Sequence, residues 1–260
     1  MAILETETRG AVLVARFNHP STHNPMNLEL EKSIRSICQE VEDTPAIRAL
    51  VLTGGKDRSF CAGGDLKELA ELSGYALADA SIDRVIALYS SILKVTKPSV
   101  AAIGGYAIGT GLGIALSCDW RLGSAGTKLL MWELKHGNAC VIGAYLIETF
   151  VGRAAMSDII YGCEAIPLSW ALDHRLLHEI VDSHQCEERA IARAQILSEF
   201  PEVSFRRTKE KVNQGVLAGL QRIACDAKVA YAAGIASGAA REQSYRVSKV
   251  QSKQRTDSSH

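Results

Sequence analysis

KPSVAAIGGYAIGTGLGIALSCD, residues 97–119, decides how this chain folds. Ser99–Ile103 is a short apolar run behind a proline and is bounded by Gly104 and Gly105, the pattern of a buried strand. Gly109-Thr110-Gly111-Leu112-Gly113 follows, and then the apolar run Ile114–Leu116. The order is strand, glycine-rich turn, helix. Backbone can approach a ligand closely there, because glycine has no Cβ. A helix starting near Gly111 leaves its first N–H groups unpaired, with the positive end of the helix dipole behind them. Such a turn either holds an anion, permanent or developing, or packs a buried strand on a buried helix. The spacing is neither GxGxxG nor a P-loop, since no GK[ST] follows.

A second stretch has the same plan. RSFCAGGDLKEL, residues 58–69, follows the apolar run Ala49–Thr53, and Asp65 sits where an opening helix favours an acid. Two such turns can aim two backbone N–H groups at one oxygen. The pair resembles the enoyl-CoA hydratase/isomerase (crotonase) superfamily, in which an "AGxD" turn and a "KPxxAAxxGxAxGxG" segment form an oxyanion hole for an acyl-CoA thioester. The resemblance runs from about Val12 to about Asp182. It implies Ala62 as the first donor and Thr110 as the second. Cys61, Gly63 and Asp65 would border the substrate on one side, and Gly109, Gly111 and Gly113 on the other. The loop Ser21–Asn27 would lie against the CoA adenine and ribose, with His23 and Asn24 lining it or serving only as turn residues. Lys56 or Arg58 could reach CoA phosphates or stay solvated.

The implied fold class is α/β, a crotonase-like ββα spiral core over residues 1–200 with a C-terminal helical region over 201–260. That region carries Val212, Val216, Leu217, Leu220 and Ile223, an apolar stripe that needs a partner surface, and would serve trimerisation and end in a polar tail. Leu30, Ile34, Ile37, Cys38 and Val41 mark one helix face, and Ile82, Val85, Ile86, Tyr89, Ile92 and Leu93 another that reads as core. Trp120–Ser124 and Lys128–Met131 read as strands. Arg153–Tyr161, Ser169–Leu177, Glu187–Phe200 and Arg206–Ile223 read as helices. Glu71–Ala80, rich in small residues, reads as mobile.

The chemistry depends on where the acids stand. The family's hydratases use two glutamates, one three residues after the second oxyanion donor and one after a later strand. Gly113 fills the first place, with Leu112 and Ile114 beside it. Glu133 fills the second, between Trp132 and Leu134, where burial raises a carboxyl pKa toward what proton transfer needs. Syn hydration is helped by two carboxylates on one water, whereas a 1,3-proton shift needs one base. The pattern implies an enzyme moving the double bond of a 3-enoyl-CoA through a dienolate, as in Δ3,Δ2-enoyl-CoA isomerases. The alternatives are an enoyl-CoA hydratase, a thioester hydrolase or decarboxylase using His136 or Cys140, and a non-catalytic acyl-CoA binder. An apolar-flanked acid argues against a pure binder.

The bounds agree with this class. The chain has 260 residues, 47% apolar and 22% charged, with zero formal net charge, so neither nucleic acid nor an anionic membrane is an expected partner. No apolar run is long enough to span a bilayer, and the N-terminus lacks a signal pattern, so a cytoplasmic protein is expected. Seven cysteines without CxxC pairs, most in apolar settings (Cys38, Cys118, Cys225), read as reduced core residues, and no Cys/His cluster has metal spacing. No metal or cofactor is expected, acyl-CoA being the substrate, and the assembly expected from the resemblance is a homotrimer or a dimer of trimers.

Overall fold

The structure is a computed structural model that describes residues 2–65 and 74–238. The helix expected to open around Asp65 and the polar tail at 243–260 lie largely or wholly outside the described residues. So does the first part of the stretch expected to be mobile, whose remainder is helical from Gly74.

A six-stranded sheet runs in the order β1 (Leu4–Arg9), β2 (Val12–Phe17), β3 (Ala49–Thr53), β4 (Ser99–Ile103), β6 (Trp120–Ser124), β8 (Glu179–Val181). Only β1 and β2 pair antiparallel, and each later neighbour is parallel. Parallel strands covered on both faces read as continuous apolar runs, which is why ALVLT and SVAAI carry no polar alternation. The period of two still divides them. Val12, Val14, Ala49, Val51, Val100 and Ala102 face α6 (Cys186–Ser198), while Leu13, Leu50, Leu52 and Ala101 face the main core.

A second, shorter layer turns the chain into a spiral. β5 (Tyr106–Ile108) pairs in parallel with β7 (Lys128–Leu130), Cys61 bridges to Ala107, and Met26 bridges to Gly64. Each turn thus lays one long strand in the large sheet and one short segment in the small layer, and then enters a helix. These helices are α1 (Leu28–Asp43), α2 (Gly74–Leu93), α3 (Thr110–Leu116) and α4 (Val141–Gly162). Asn27 caps α1, its side chain accepting from Leu30 N at 2.8 Å, and Leu30, Ile34, Cys38 and Val41 bury the expected face. α4 begins well before the expected Arg153, because an apolar run entered from Cys140 continues helically to a break at Gly152 (φ 76°). α5 (Leu168–Asp173) is shorter than expected and gives way to Arg175 at positive φ.

The last helix, α7 (Glu202–Ala236), is one 35-residue rod lying against α2 and α4. Its stripe was expected to need another protomer. In the structure Leu220 is fully buried, and Val216, Leu217 and Ile223 pack on the chain's own core, leaving Val212 exposed. Lys209 anchors the rod. Its Nζ lies 2.6 Å from Asp119 Oδ2 and donates to the Lys97 carbonyl at 2.8 Å, while Asp119 also accepts from Ser99 N at 2.7 Å. Removing one member of a buried pair leaves the other uncompensated. Lys209→Ala should therefore cost about 3 kcal/mol in urea unfolding, the low end for such pairs because Asp119 keeps some water contact. An unchanged midpoint would remove this anchor from the account.

All seven cysteines are free thiols, six of them buried. Cys225, expected in the core, is exposed.

Candidate active site

The two glycine turns meet over one cavity of about 380 Å³, lined by Gly63, Gly64 and Asp65 from the first and by Gly109 and Thr110 from the second. Peptide orientation decides which N–H groups are available. In a trans peptide the N–H points opposite to the C=O. The Gly109 carbonyl accepts the first helical bond from Gly113 N at 3.0 Å, so the Thr110 N–H points back out of the helix start into the turn. The Gly63 carbonyl accepts from Met26 N at 2.7 Å, so the Gly64 N–H faces away from Met26, and it has no partner among the described residues. Ala62 lines the same cavity, but its N–H donates to the His23 carbonyl at 3.0 Å. That corrects the expected donor pair. Ala62 is committed to the loop, and the free donors are Gly64 and Thr110.

Glu133 stands at the start of a short 3₁₀ turn, Leu134–His136, after β7. Its carboxyl packs against the turn so closely that a Cβ on Gly109 would lie 2.6 Å from Oε1, and Gly109 has φ 51° besides, so no other residue fits that position. Burial raises the Glu133 pKa above the ordinary carboxyl value, partly offset by its own backbone N–H and by the Cys140 thiol. Glu133 Oε2 is buried without a hydrogen-bond partner, free to meet a substrate C–H. The result is a carboxyl that holds its proton to higher pH than an exposed one.

Cys140 lines the cavity, but burial and the Glu133 charge push its thiol pKa far up. It is a thiol at working pH, not the thiolate that nucleophilic catalysis requires, which argues against acyl transfer to sulfur. His136 also lines the cavity, one turn beyond Trp132.

At Gly113 a side chain is excluded by a neighbour. A Cβ there would lie 2.1 Å from Tyr89 Oη. Tyr89 is buried, and its hydroxyl donates to the Thr110 carbonyl at 3.4 Å. The place of the family's other glutamate is therefore filled by a phenol from α2. Gly113→Glu should destabilise the fold and yield no hydration of crotonyl-CoA. A stable variant that hydrates it would contradict this packing.

The remaining expected site residues divide. Asp65 borders the cavity and lies 3.8 Å from His19. Asn24 is fully buried, and its side-chain amide donates to the Gly54 and Ser59 carbonyls at 3.1 and 2.7 Å while its oxygen accepts from His19 N. Asn24 holds the loop and does not line the cavity. His23 contacts Ser59 Oγ at 3.2 Å and the Tyr106 ring. Cys61 is buried under the turn, its thiol pushed up to about 12, and Gly111 packs on it. Arg58 is tied to the carbonyls of His19 and Ser21. Sequence reading missed Tyr89, Ser81, Arg84, Trp132, Glu31 and Tyr231 as cavity residues, because each sits in a helix stripe or an apolar run that reads as core or surface.

Two backbone donors and the Glu133 carboxyl lining one cavity suit an enzyme that stabilises negative charge on a thioester oxygen. The chain belongs to the enoyl-CoA hydratase/isomerase family, whose profile matches residues 7–241. It is 38% identical over 208 residues to carboxymethylproline synthase of Pectobacterium carotovorum subsp. carotovorum, covering 80% of this chain and 83% of that one. It is 28% identical over 221 residues to a short-chain-enoyl-CoA hydratase of Clostridium acetobutylicum, covering 82% and 81%. Among solved structures, ThnE from S. clavuligerus matches with a TM-score of 0.72 at 31% identity, over 85% of this chain and 99% of that one. An enoyl-CoA hydratase/isomerase from Mycobacterium paratuberculosis matches in fold, with a TM-score of 0.84 at 22% identity over 95% and 98%. The fold is the crotonase fold, and the protein is an acyl-CoA enzyme. No helix among the described residues is long and apolar enough to cross a membrane, and no metal-ligand cluster occurs among them.

Proposed function

We propose that the enzyme forms the enolate of a small acyl-CoA thioester and joins its α-carbon to an electrophilic carbon of a second substrate. The observation that carries this is that one carboxyl, Glu133, lies against the second glycine turn, while Tyr89 occupies the ground of a second acid there. Glu133 lines the same cavity as Gly64 and Thr110. One carboxyl moves one proton well and holds a hydrating water poorly. The enolate can be drawn from an α-C–H, with Glu133 as base, or from an α-carboxylate that leaves as CO2. The higher identity to a carboxymethylproline synthase than to the hydratase supports carbon–carbon bond formation, because a carboxymethyl group is the two-carbon unit an acetyl enolate delivers.

The test is incubation with acetyl-CoA or malonyl-CoA and 1-pyrroline, the simplest cyclic imine, followed by mass spectrometry. The expected product is the adduct in which the thioester α-carbon bonds the imine carbon and the nitrogen gains a proton. The second reading is double-bond migration from 3-enoyl- to 2-enoyl-CoA, which one acid also supports. Rapid migration with no adduct would favour it, and robust hydration of crotonyl-CoA would sink both.

The trimer expectation continues as a proposal. Val203, Val212 and Val229 remain exposed along α7, at 60%, 68% and 65%. Light scattering should give a multiple of the 28.1 kDa protomer, and a monomer at micromolar concentration would contradict it.

A further inference from the structure

A second cavity, of about 510 Å³, lies where α1, α2 and α7 meet, on the face of α2 opposite the active site. Leu88 and Tyr89 of α2 line the catalytic cavity, while Ala87 and Ser90 line this one. Ser90 is only 6% exposed, and its hydroxyl is buried without a hydrogen-bond partner. A serine inside a helix commonly donates to a carbonyl three or four residues back, as Ser91 does to the Leu88 carbonyl at 2.7 Å. Ser90 does not. Buried polar atoms are nearly always hydrogen-bonded, so this exception on a cavity wall points to a ligand.

The charged groups around this cavity divide into those already held and those that are not. Both Glu42 oxygens accept from Thr96, Oε1 from its N at 2.7 Å and Oε2 from its Oγ1 at 2.9 Å. Asp83 Oδ2 pairs with Lys228 Nζ at 2.8 Å. The two carboxylates are thus committed, and the two cations are not. Lys94 follows Ser90 by one turn, its N donating to the Ser90 carbonyl at 3.0 Å, and its ammonium has no partner among the described residues. Arg35 Nη1 lies 3.7 Å from Glu31 Oε1, too far for a hydrogen bond, on a side chain 46% exposed, and such a pair holds a guanidinium weakly. Cys38, Ile86, Val95 and Ala224 give the cavity an apolar wall. Three donors, two of them cationic, stand uncommitted beside that wall.

We infer that the cavity between α1, α2 and α7 is a second ligand site, separate from the thioester site, and that it takes a small organic phosphate. Two uncommitted cations match a phosphate monoester, which carries about −1.5 to −2 charge at pH 7, better than they match a single carboxylate. The Arg35 fork and the Lys94 ammonium would hold the phosphate oxygens, the Ser90 hydroxyl would donate to an acceptor on the ligand, and the organic part would lie along Ile86 and Val95. The inference does not depend on which reaction the active site performs.

The probes are phenyl phosphate and benzoate, an aromatic dianion and an aromatic monoanion, titrated calorimetrically at pH 7.5. Wild type should bind phenyl phosphate about tenfold tighter than benzoate, and saturating CoA should leave that binding unchanged. Lys94→Ala should weaken phenyl phosphate about tenfold, the loss of one charge-assisted contact, and Ser90→Ala a few-fold, each variant confirmed folded by circular dichroism. Displacement of phenyl phosphate by CoA would put it in the thioester site and overturn the inference. Equal binding of the two anions, no binding of phenyl phosphate to wild type, or undiminished binding in either variant would overturn it as well.

Discussion

Glu133→Gln is expected to reduce turnover by 10²–10⁴, the range a positioned acid–base group contributes. The amide is nearly the same shape but neither removes an α-proton nor returns one. Because burial holds the Glu133 pKa above its ordinary value, the acid limb of kcat/KM should lie above the usual carboxyl range. The sign is fixed by the base role. The carboxylate is the active form, so activity falls as pH drops through the raised pKa. The same shift has a stability consequence of opposite direction. A raised carboxyl pKa favours the folded state while the group is protonated, and that contribution is lost as pH rises through the folded pKa. The variant, with no charge to bury, should therefore gain thermal stability relative to wild type at pH 8 more than at pH 5. Full activity in Glu133→Gln would remove it from the mechanism.

Gly64→Pro should lower turnover by 10²–10³ while keeping the fold. Proline deletes the one N–H at that position, and loss of a single oxyanion donor is worth about 3–4 kcal/mol of barrier. The bridge to Met26 uses the Gly63 carbonyl and the Asp65 N–H, so it does not need the Gly64 N–H. Ala62→Pro, in contrast, removes the bond to His23 and should act through the loop, in melting temperature more than in kcat. The reverse ranking of the two variants in kcat would restore Ala62 as the donor.

Much of this was legible in the sequence. The strand–turn–helix repeats, the place of Glu133 and the absence of an acid at 113 depend on local pattern, and local pattern is what a sequence displays. The first oxyanion donor was misassigned by two residues for a definable reason. AGGD shows a turn, but which N–H is free depends on the Gly63 carbonyl being taken by Met26, a contact between distant segments. Tyr89 was hidden because it lies in a clean helical stripe, and a stripe cannot say which member ends against a catalytic glycine. Glu31 lies outside the apolar stripe that marks the buried face of α1, so nothing in the local pattern singles it out. Only its pairing with Arg84 of α2 reveals that it is buried. The stripe of α7 was read correctly as apolar and wrongly as unpartnered, since its partners are α2 and α4 of the same chain.

The central claim is that Glu133 exchanges a proton with the α-carbon of an acyl thioester whose oxygen rests on the Gly64 and Thr110 N–H groups. The most direct test is proton NMR of acetyl-CoA in D2O with enzyme and no second substrate. Wild type should wash deuterium into the acetyl methyl, and Glu133→Gln should not. Retention of full protium by wild type, or equal exchange by the two proteins, would contradict the account.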